Sequence, residues 1–292
     1  TPDENQLLLS EVIVDTFILN NLKKTLQSSQ VQNDLFIEKY ILKVHYEVQE
    51  LINAYLEGDL AELEKRQYYY SGRRNYTFIF NHITQAVRLI SASHPLHQIL
   101  NVNAAYLKAV TDRLHLTIEN EKFDSVLNSA ELAIEKAIEL DPFAPYIQNE
   151  AGNIYLLKQK MALADSFFTM ATEFAPSWAI PWSNKSRLQL AQGNLKRATK
   201  AIETADSLQP DVSFILINKG LIEEQKGNLL LATELYHKAI DKNEVHFLPH
   251  ERLGYLYNAA MEFDLANTYF KNAYERKKLF SISSTYYKFG IE

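Results

Sequence analysis

One spacing dominates the second half of the chain. Pro142, Pro176 and Pro210 fall 34 residues apart, and Gly152, Ser186, Gly220 and Gly254 keep the same interval. Ala164, Ala198, Ala232 and Ala266 hold it too, as do Ala171, Ala205, Ala239 and Ala273. These columns run from 145 to 278 without an insertion. A chain that repeats itself in this way builds its core by stacking like units, each of which cannot bury its apolar face alone.

Each column has a physical reading. The Gly/Ser column falls mid-way along the first helix of a pair, where a small side chain lets the second helix approach closely. The two alanine columns lie seven residues apart on one face of the second helix and serve the same close packing. Between them Phe168, Ile202, Tyr236 and Phe270 supply bulk. Gly193-Asn194 and Gly227-Asn228 sit between the helices, where a left-handed residue ends the first helix cheaply. The prolines mark turns, because proline cannot continue a helix interior.

This pattern resembles the tetratricopeptide repeat (TPR) family. The resemblance covers 145–178, 179–212, 213–246 and 247–280 in full, whereas 111–144 matches only in its second half, through Ala130, Ile134, Ala137 and Pro142. Some positions depart from the pattern. Gln148 and Lys185 replace apolar residues, Lys160 and Met261 stand in place of the inter-helix glycine, and Glu244 and Lys278 replace the proline. The expected fold is all-α, a right-handed solenoid of antiparallel helix pairs. Residues 281–292 either cap it or open a further repeat.

The first 110 residues read as a divergent helical region. Apolar residues recur at helical spacing from Leu7 to Ile18 and from Phe36 to Val44, with further helices expected over 76–91 and 96–116. Glu57-Gly58-Asp59 marks a helix end followed by a new start. Hairpins that extend the solenoid and a separate helical bundle both fit this pattern.

Composition narrows the function classes. The net charge is −6 and no segment is broadly basic, which argues against nucleic acid as a partner. No apolar run approaches the length that spans a bilayer, so a soluble chain without membrane insertion is expected. The absence of cysteine removes disulfides, thiol catalysis and cysteine-based zinc sites, and leaves cytoplasm and periplasm both open. The chain begins Thr1-Pro2 and stops after Gly290-Ile291-Glu292, as a segment of a longer protein is expected to. No Gly-rich phosphate loop, nucleophile elbow or HExxH motif is present, so neither catalysis, a cofactor nor a resident metal is expected from these residues.

What the resemblance implies is a peptide groove. In the TPR family the concave surface is lined largely by the second, fifth, sixth and ninth positions of each first helix. Here these are Tyr146, Ile180, Phe214 and Leu248 at the second, Asn149 at the fifth, and Glu150, Asn184, Asn218 and Arg252 at the sixth. Asn153 and Arg187 hold the ninth. Asn184 and Asn218 resemble the asparagine ladder of a peptide-holding TPR superhelix, since a side-chain amide both donates to and accepts from a peptide backbone. The apolar column beside them suits side chains of an extended segment. The plainer alternative is that the asparagines bond a neighbouring helix. A carboxylate clamp of the chaperone-binding kind is not expected, because Asn149, Phe214 and Asn218 stand where its cations belong.

Two other groupings draw attention. Tyr68-Tyr69-Tyr70 and Tyr76 bracket Arg73-Arg74, which fits base stacking but fits anchors between hairpins better. His246 and His250 have the spacing of a helical metal pair, although Pro249 sits where the helix starts, and His94 and His97 raise the same weak case. The expected function is binding of a protein or peptide segment in the groove. The alternatives are a regulatory or substrate-recruiting arm of a larger enzyme and a self-associating scaffold.

Overall fold

The computed structural model describes residues 30–66, 69–116, 123–243 and 246–277. Among these residues it contains thirteen helices and no strand. The helices are α1 (Gln30–Glu57), α2 (Leu60–Lys65), α3 (Tyr69–Leu89), α4 (His97–Leu114) and α5 (Phe123–Leu140). Then follow α6 (Pro145–Leu157), α7 (Met161–Phe174), α8 (Ala179–Ala191), α9 (Leu195–Leu208), α10 (Ser213–Gln225), α11 (Leu229–Lys242), α12 (Phe247–Ala259) and α13 (Phe263–Lys277). The apolar stretch Leu7–Ile18 and residues 281–292 lie outside the described residues.

The 34-residue spacing becomes four helical hairpins, α6–α7, α8–α9, α10–α11 and α12–α13, each packed on the next. The small-residue column explains how tightly each closes. A Cβ placed on Gly152 would stand 2.4 Å from the Phe168 ring, on Gly220 2.5 Å from Tyr236, and on Gly254 2.6 Å from Phe270. Real side chains do not approach so closely, so the aromatic fills the space that glycine leaves. The one serine of the column, Ser186, faces a repeat with Ile202 in place of the aromatic. Its Oγ donates to the Ala198 carbonyl at 2.9 Å. Glycine with a ring, serine with an isoleucine: the column and the bulk position compensate.

The links inside the hairpins correct one alignment. Gly193 and Gly227 have φ of +75° and +80°, the left-handed conformation that ends the first helix. The equivalent residues in the flanking repeats are Gln159, with φ of +60°, and Met261, with φ of +64°. Lys160, read above as the glycine substitute, has φ of −87° and corresponds to the asparagine that follows the glycine. Gln148, at a usually apolar position, is buried and donates to the Pro142 carbonyl at 2.6 Å.

The helices before α5 pack on one another outside the 34-residue register. The repeat spacing places a first helix at 111, yet α4 starts at His97 and spans 18 residues, against 13 in each of α6, α8, α10 and α12. It pairs with α5, whose Ala130, Ile134 and Ala137 are fully buried. The partial match of 111–144 is thus a second helix in register with a longer first helix placed earlier. Helices α3 and α4 cover the segments 76–91 and 96–116 expected to be helical, and α1 packs on α3. A single cluster of buried apolar residues runs from Tyr40 to Leu188, and two smaller clusters carry the core through the later repeats.

Candidate functional site

The element that shapes the groove is the turn between α1 and α2. Helix α1 ends because Gly58 takes φ of +73°, and α2 starts because the Asp59 carboxylate accepts from the Glu62 amide at 2.9 Å. Three side chains from the repeats hold this turn. Trp178 Nε1 donates to the Tyr55 carbonyl at 3.0 Å, and Gln209 Nε2 donates to the Gly58 carbonyl at 2.8 Å. Asn149 Nδ2 donates to the Tyr55 hydroxyl at 2.8 Å. The Tyr55 ring meets Trp178 edge-on at 4.9 Å and carries the Arg66 guanidinium 3.3 Å from its centroid. The turn is thus held by α6, by the residue that precedes α8 and by the residue that follows α9, across 94 to 151 residues of sequence.

The residues expected in the groove fall into two groups. Tyr146 and Asn149 are buried and committed internally. Tyr146 packs edge-on to Tyr106 at 4.7 Å and donates to Asn103 Oδ1 at 3.2 Å, and burial pushes its hydroxyl well above the ordinary tyrosine range. Glu150, fully buried, takes a two-pronged ion pair from Arg113 on α4, with Nη2 to Oε2 at 3.2 Å. Arg252 is likewise engaged, its Nε 3.0 Å from Glu224 Oε2 on α10, and the Tyr236 hydroxyl donates to the same oxygen at 2.8 Å.

Asn153, Ile180, Asn184, Arg187, Phe214 and Asn218 instead line a cavity of about 120 Å3 against the turn. Tyr55, Leu63 and Arg66 form its far wall, and Arg113, Ile217, His246 and Leu248 complete it. The asparagines are wired to their neighbours: Asn184 Nδ2 donates to Asn149 Oδ1 at 3.0 Å, and Asn218 Nδ2 donates to Ser183 Oγ at 2.8 Å. Each bond uses one of the two hydrogens that a side-chain amide carries.

Arg66, Arg113 and Arg187 line the cavity, and no carboxylate does among the described residues, although Glu62 and Glu150 pair with the first two. Glu62 accepts from Arg66 Nε at 2.9 Å from behind the wall, and Tyr106 accepts from Nη1 at 2.9 Å. His246 begins α12, where its Nδ1 accepts from the Leu248 amide at 3.3 Å. Burial, with Arg187 and His250 adding to it, pushes its imidazole down to about 3. That nitrogen serves the helix end, and the spacing of His246 and His250 reflects a cap rather than a shared ligand face. No group of three potential metal-ligating side chains occurs among the described residues.

Arg66, Arg113 and Tyr55 escape a repeat-based reading because none lies in the 34-residue register. Of the aromatic and arginine segment at 68–76, the side chains of 68–74 lie outside the described residues. Tyr76 is fully buried, and its hydroxyl donates to Glu62.

Comparison with solved structures bears on the fold. The Pseudomonas aeruginosa protein PilF superposes with a TM-score of 0.51 over 76% of this chain and 90% of its own, at 14% identity. With four in-register hairpins, three of them closed by a glycine–aromatic pair and one by Ser186 with Ile202, that likeness decides the architecture. The fold is a tetratricopeptide-repeat solenoid. YrrB, described as a TPR protein with an unusual peptide-binding site, aligns at 17% identity over 70% of this chain and 97% of its own, with a TM-score of 0.44. MamA aligns at 19% identity over 56% and 96%, with a TM-score of 0.43. No protein-family model matches the chain, and no curated protein does. Among the described residues no helix is long and apolar enough to cross a membrane.

Proposed function

We propose that this TPR solenoid is a protein-interaction module that binds an extended polypeptide segment along its first-helix face. The observation that carries the reading is one cavity in which Asn153, Asn184 and Asn218 amides alternate with Ile180, Phe214 and Leu248. Amides answer a peptide backbone whatever its sequence, and the apolar column receives side chains. The site is then shorter than the full set of groove positions. Tyr146 and Asn149 form its closed end against the α1–α2 turn, and Arg252 stiffens the opposite end through Glu224.

Selection from a randomised decapeptide library tests this. Peptides enriched on the wild-type chain should lose at least about tenfold in affinity when Asn184 and Asn218 are both replaced by alanine. Because Asn149 and Ser183 then lose partners, a fall in stability of about 1–3 kcal/mol accompanies the change, while the helical circular-dichroism signal is retained. Undiminished capture by the double variant sinks the reading.

Self-association has its own supporting observation. The second helices of adjacent repeats begin with exposed apolar residues, Leu229, Leu230 and Leu231 on α11 and Phe263 and Leu265 on α13. Light scattering that stays monomeric across a wide concentration range removes that alternative.

A further inference from the structure

We propose that the edge of the array formed by the starts of α9, α11 and α13 binds a second copy of this chain across a two-fold axis through α11. This rests on the self-association reading and is independent of the groove.

The register sets three unlike residues in equivalent places. The hairpins stack 34 residues apart, so Lys196, Leu230 and Asp264 are the second residues of α9, α11 and α13 and share one edge. All three are exposed, Leu230 at 78%. Before them stand Leu195, Leu229 and Phe263, and after them Arg197, Leu231 and Leu265. The edge therefore runs from a basic end, through a leucine centre, to an acidic end where Glu262 and Asp264 flank Phe263. An apolar patch rimmed by charge in this way marks an interaction surface. Lys196 and Arg197 occupy the first turn of α9, which holds no acid, and the helix dipole disfavours a cation there. Neither has an ion-pair partner among the described residues. Charges placed against local preference and left unmatched are answered by charges from outside.

Symmetry identifies the occupant. In a two-fold contact residue i meets j while j meets i. An axis through α11 brings Leu230 onto its own copy and sets Lys196 opposite Asp264 twice. The leucines then form the apolar centre, and the charge pairs lie at the rim, where they fix register more than strength. A recess supports this pairing. Leu195, Lys196, Thr199, Lys200 and Glu203 of α9, with Lys226 of the next link, line a shallow hollow at the basic end. Lys226 is already paired with Glu223, so Lys196 and Lys200 are the cations it offers. Phe263 of the second copy, 59% exposed, arrives there beside Leu195 and carries its two flanking carboxylates to those lysines. A lipid surface would accept the leucines and lysines but would set Glu262 and Asp264 against anionic headgroups. A head-to-tail contact would join the same charges and leave the central leucines uncovered.

The experiment follows the mass of the full 292-residue chain by light scattering as its concentration rises. The expected result is a monomer–dimer equilibrium that stops at two. Leu230→Lys should weaken dimerisation at least about tenfold, and so should Lys196→Asp and Asp264→Lys, each of which sets like charges face to face. A mixture of the last two variants should form a heterodimer, although each alone stays monomeric at the same concentration. Every rim contact in the mixed pair joins opposite charges, and loss of structure does not produce such a rescue.

A dimer that survives Leu230→Lys, or a mixture that fails to pair, overturns this edge and leaves self-association standing through another face. Growth beyond two copies overturns the closed two-fold arrangement. A chain that stays monomeric at every concentration removes the self-association reading, and this interface falls with it.

Discussion

At the scale of single residues, backbone conformation sets what the hairpin links tolerate. Met261 holds φ of +64° where Gly193 and Gly227 hold the same turn, and it is 77% exposed, so it gives up strain without packing in return. A side chain in the left-handed region costs about 1–2 kcal/mol relative to glycine. Met261→Gly should accordingly raise stability by about 1 kcal/mol, offset in part by the greater freedom of glycine in the unfolded chain. A urea titration checks it, and a variant less stable than wild type would show that the Met261 side chain contributes contacts that its exposure conceals. This position was legible from the repeat spacing alone, since Met261 falls on the glycine column. Gln159 falls on the same column, 34 residues before Gly193, and its dihedral angle agrees, whereas Lys160 aligns with Asn194.

Between elements, the decisive contact joins α1 to a loop more than a hundred residues away. The repeats were legible because each column recurs several times and each recurrence tests the last. The α1–α2 turn occurs once, so nothing in the sequence ties Tyr55 to Trp178 or Gly58 to Gln209. The same reason hid Arg66 and Arg113 from the candidate site, while Asn153, Ile180, Asn184, Arg187, Phe214 and Asn218 emerged from their repeat positions. Trp178→Phe isolates the contact. It keeps the edge-on aromatic packing on Tyr55 and deletes the Nε1 donor, leaving the Tyr55 carbonyl with the Gly58 amide at 3.2 Å as its remaining partner. Losing one hydrogen bond from a carbonyl that keeps another costs about 0.5–1.5 kcal/mol. The expected result is a loss in that range, with added hydrogen exchange concentrated at 50–60. Wild-type stability would show that the turn is held by Gln209 and Asn149 alone.

Across the whole molecule, the core is graded along the array. The large cluster spans Tyr40 to Leu188, whereas α13 buries only Ala266 and Ala273 and exposes Phe263, Leu265 and Tyr274. Repeat arrays lose cooperativity when neighbouring units differ in stability, so the later hairpins should open before the rest. Both tryptophans, Trp178 and Trp182, sit where the large cluster meets the repeats, and they report that part of the chain. In urea at neutral pH the helical signal should therefore begin to fall before tryptophan emission shifts. Acid should widen the gap. His246 lies in the last hairpin and is buried neutral, with a folded-state pKa of about 3 against an ordinary 6.5. Below 6.5 the unfolded chain binds a proton that the folded one refuses, so stability falls with decreasing pH by about 1.4 kcal/mol per unit until the pH reaches about 3. His246→Asn keeps an acceptor for the Leu248 amide at the start of α12 and removes the titration. The gap between the two probes at pH 5 should then shrink toward its value at pH 7. An unchanged gap would mean that acid acts on another part of the array, and coincident transitions at both pH values would show that the N-terminal helices and all four repeats unfold as one unit.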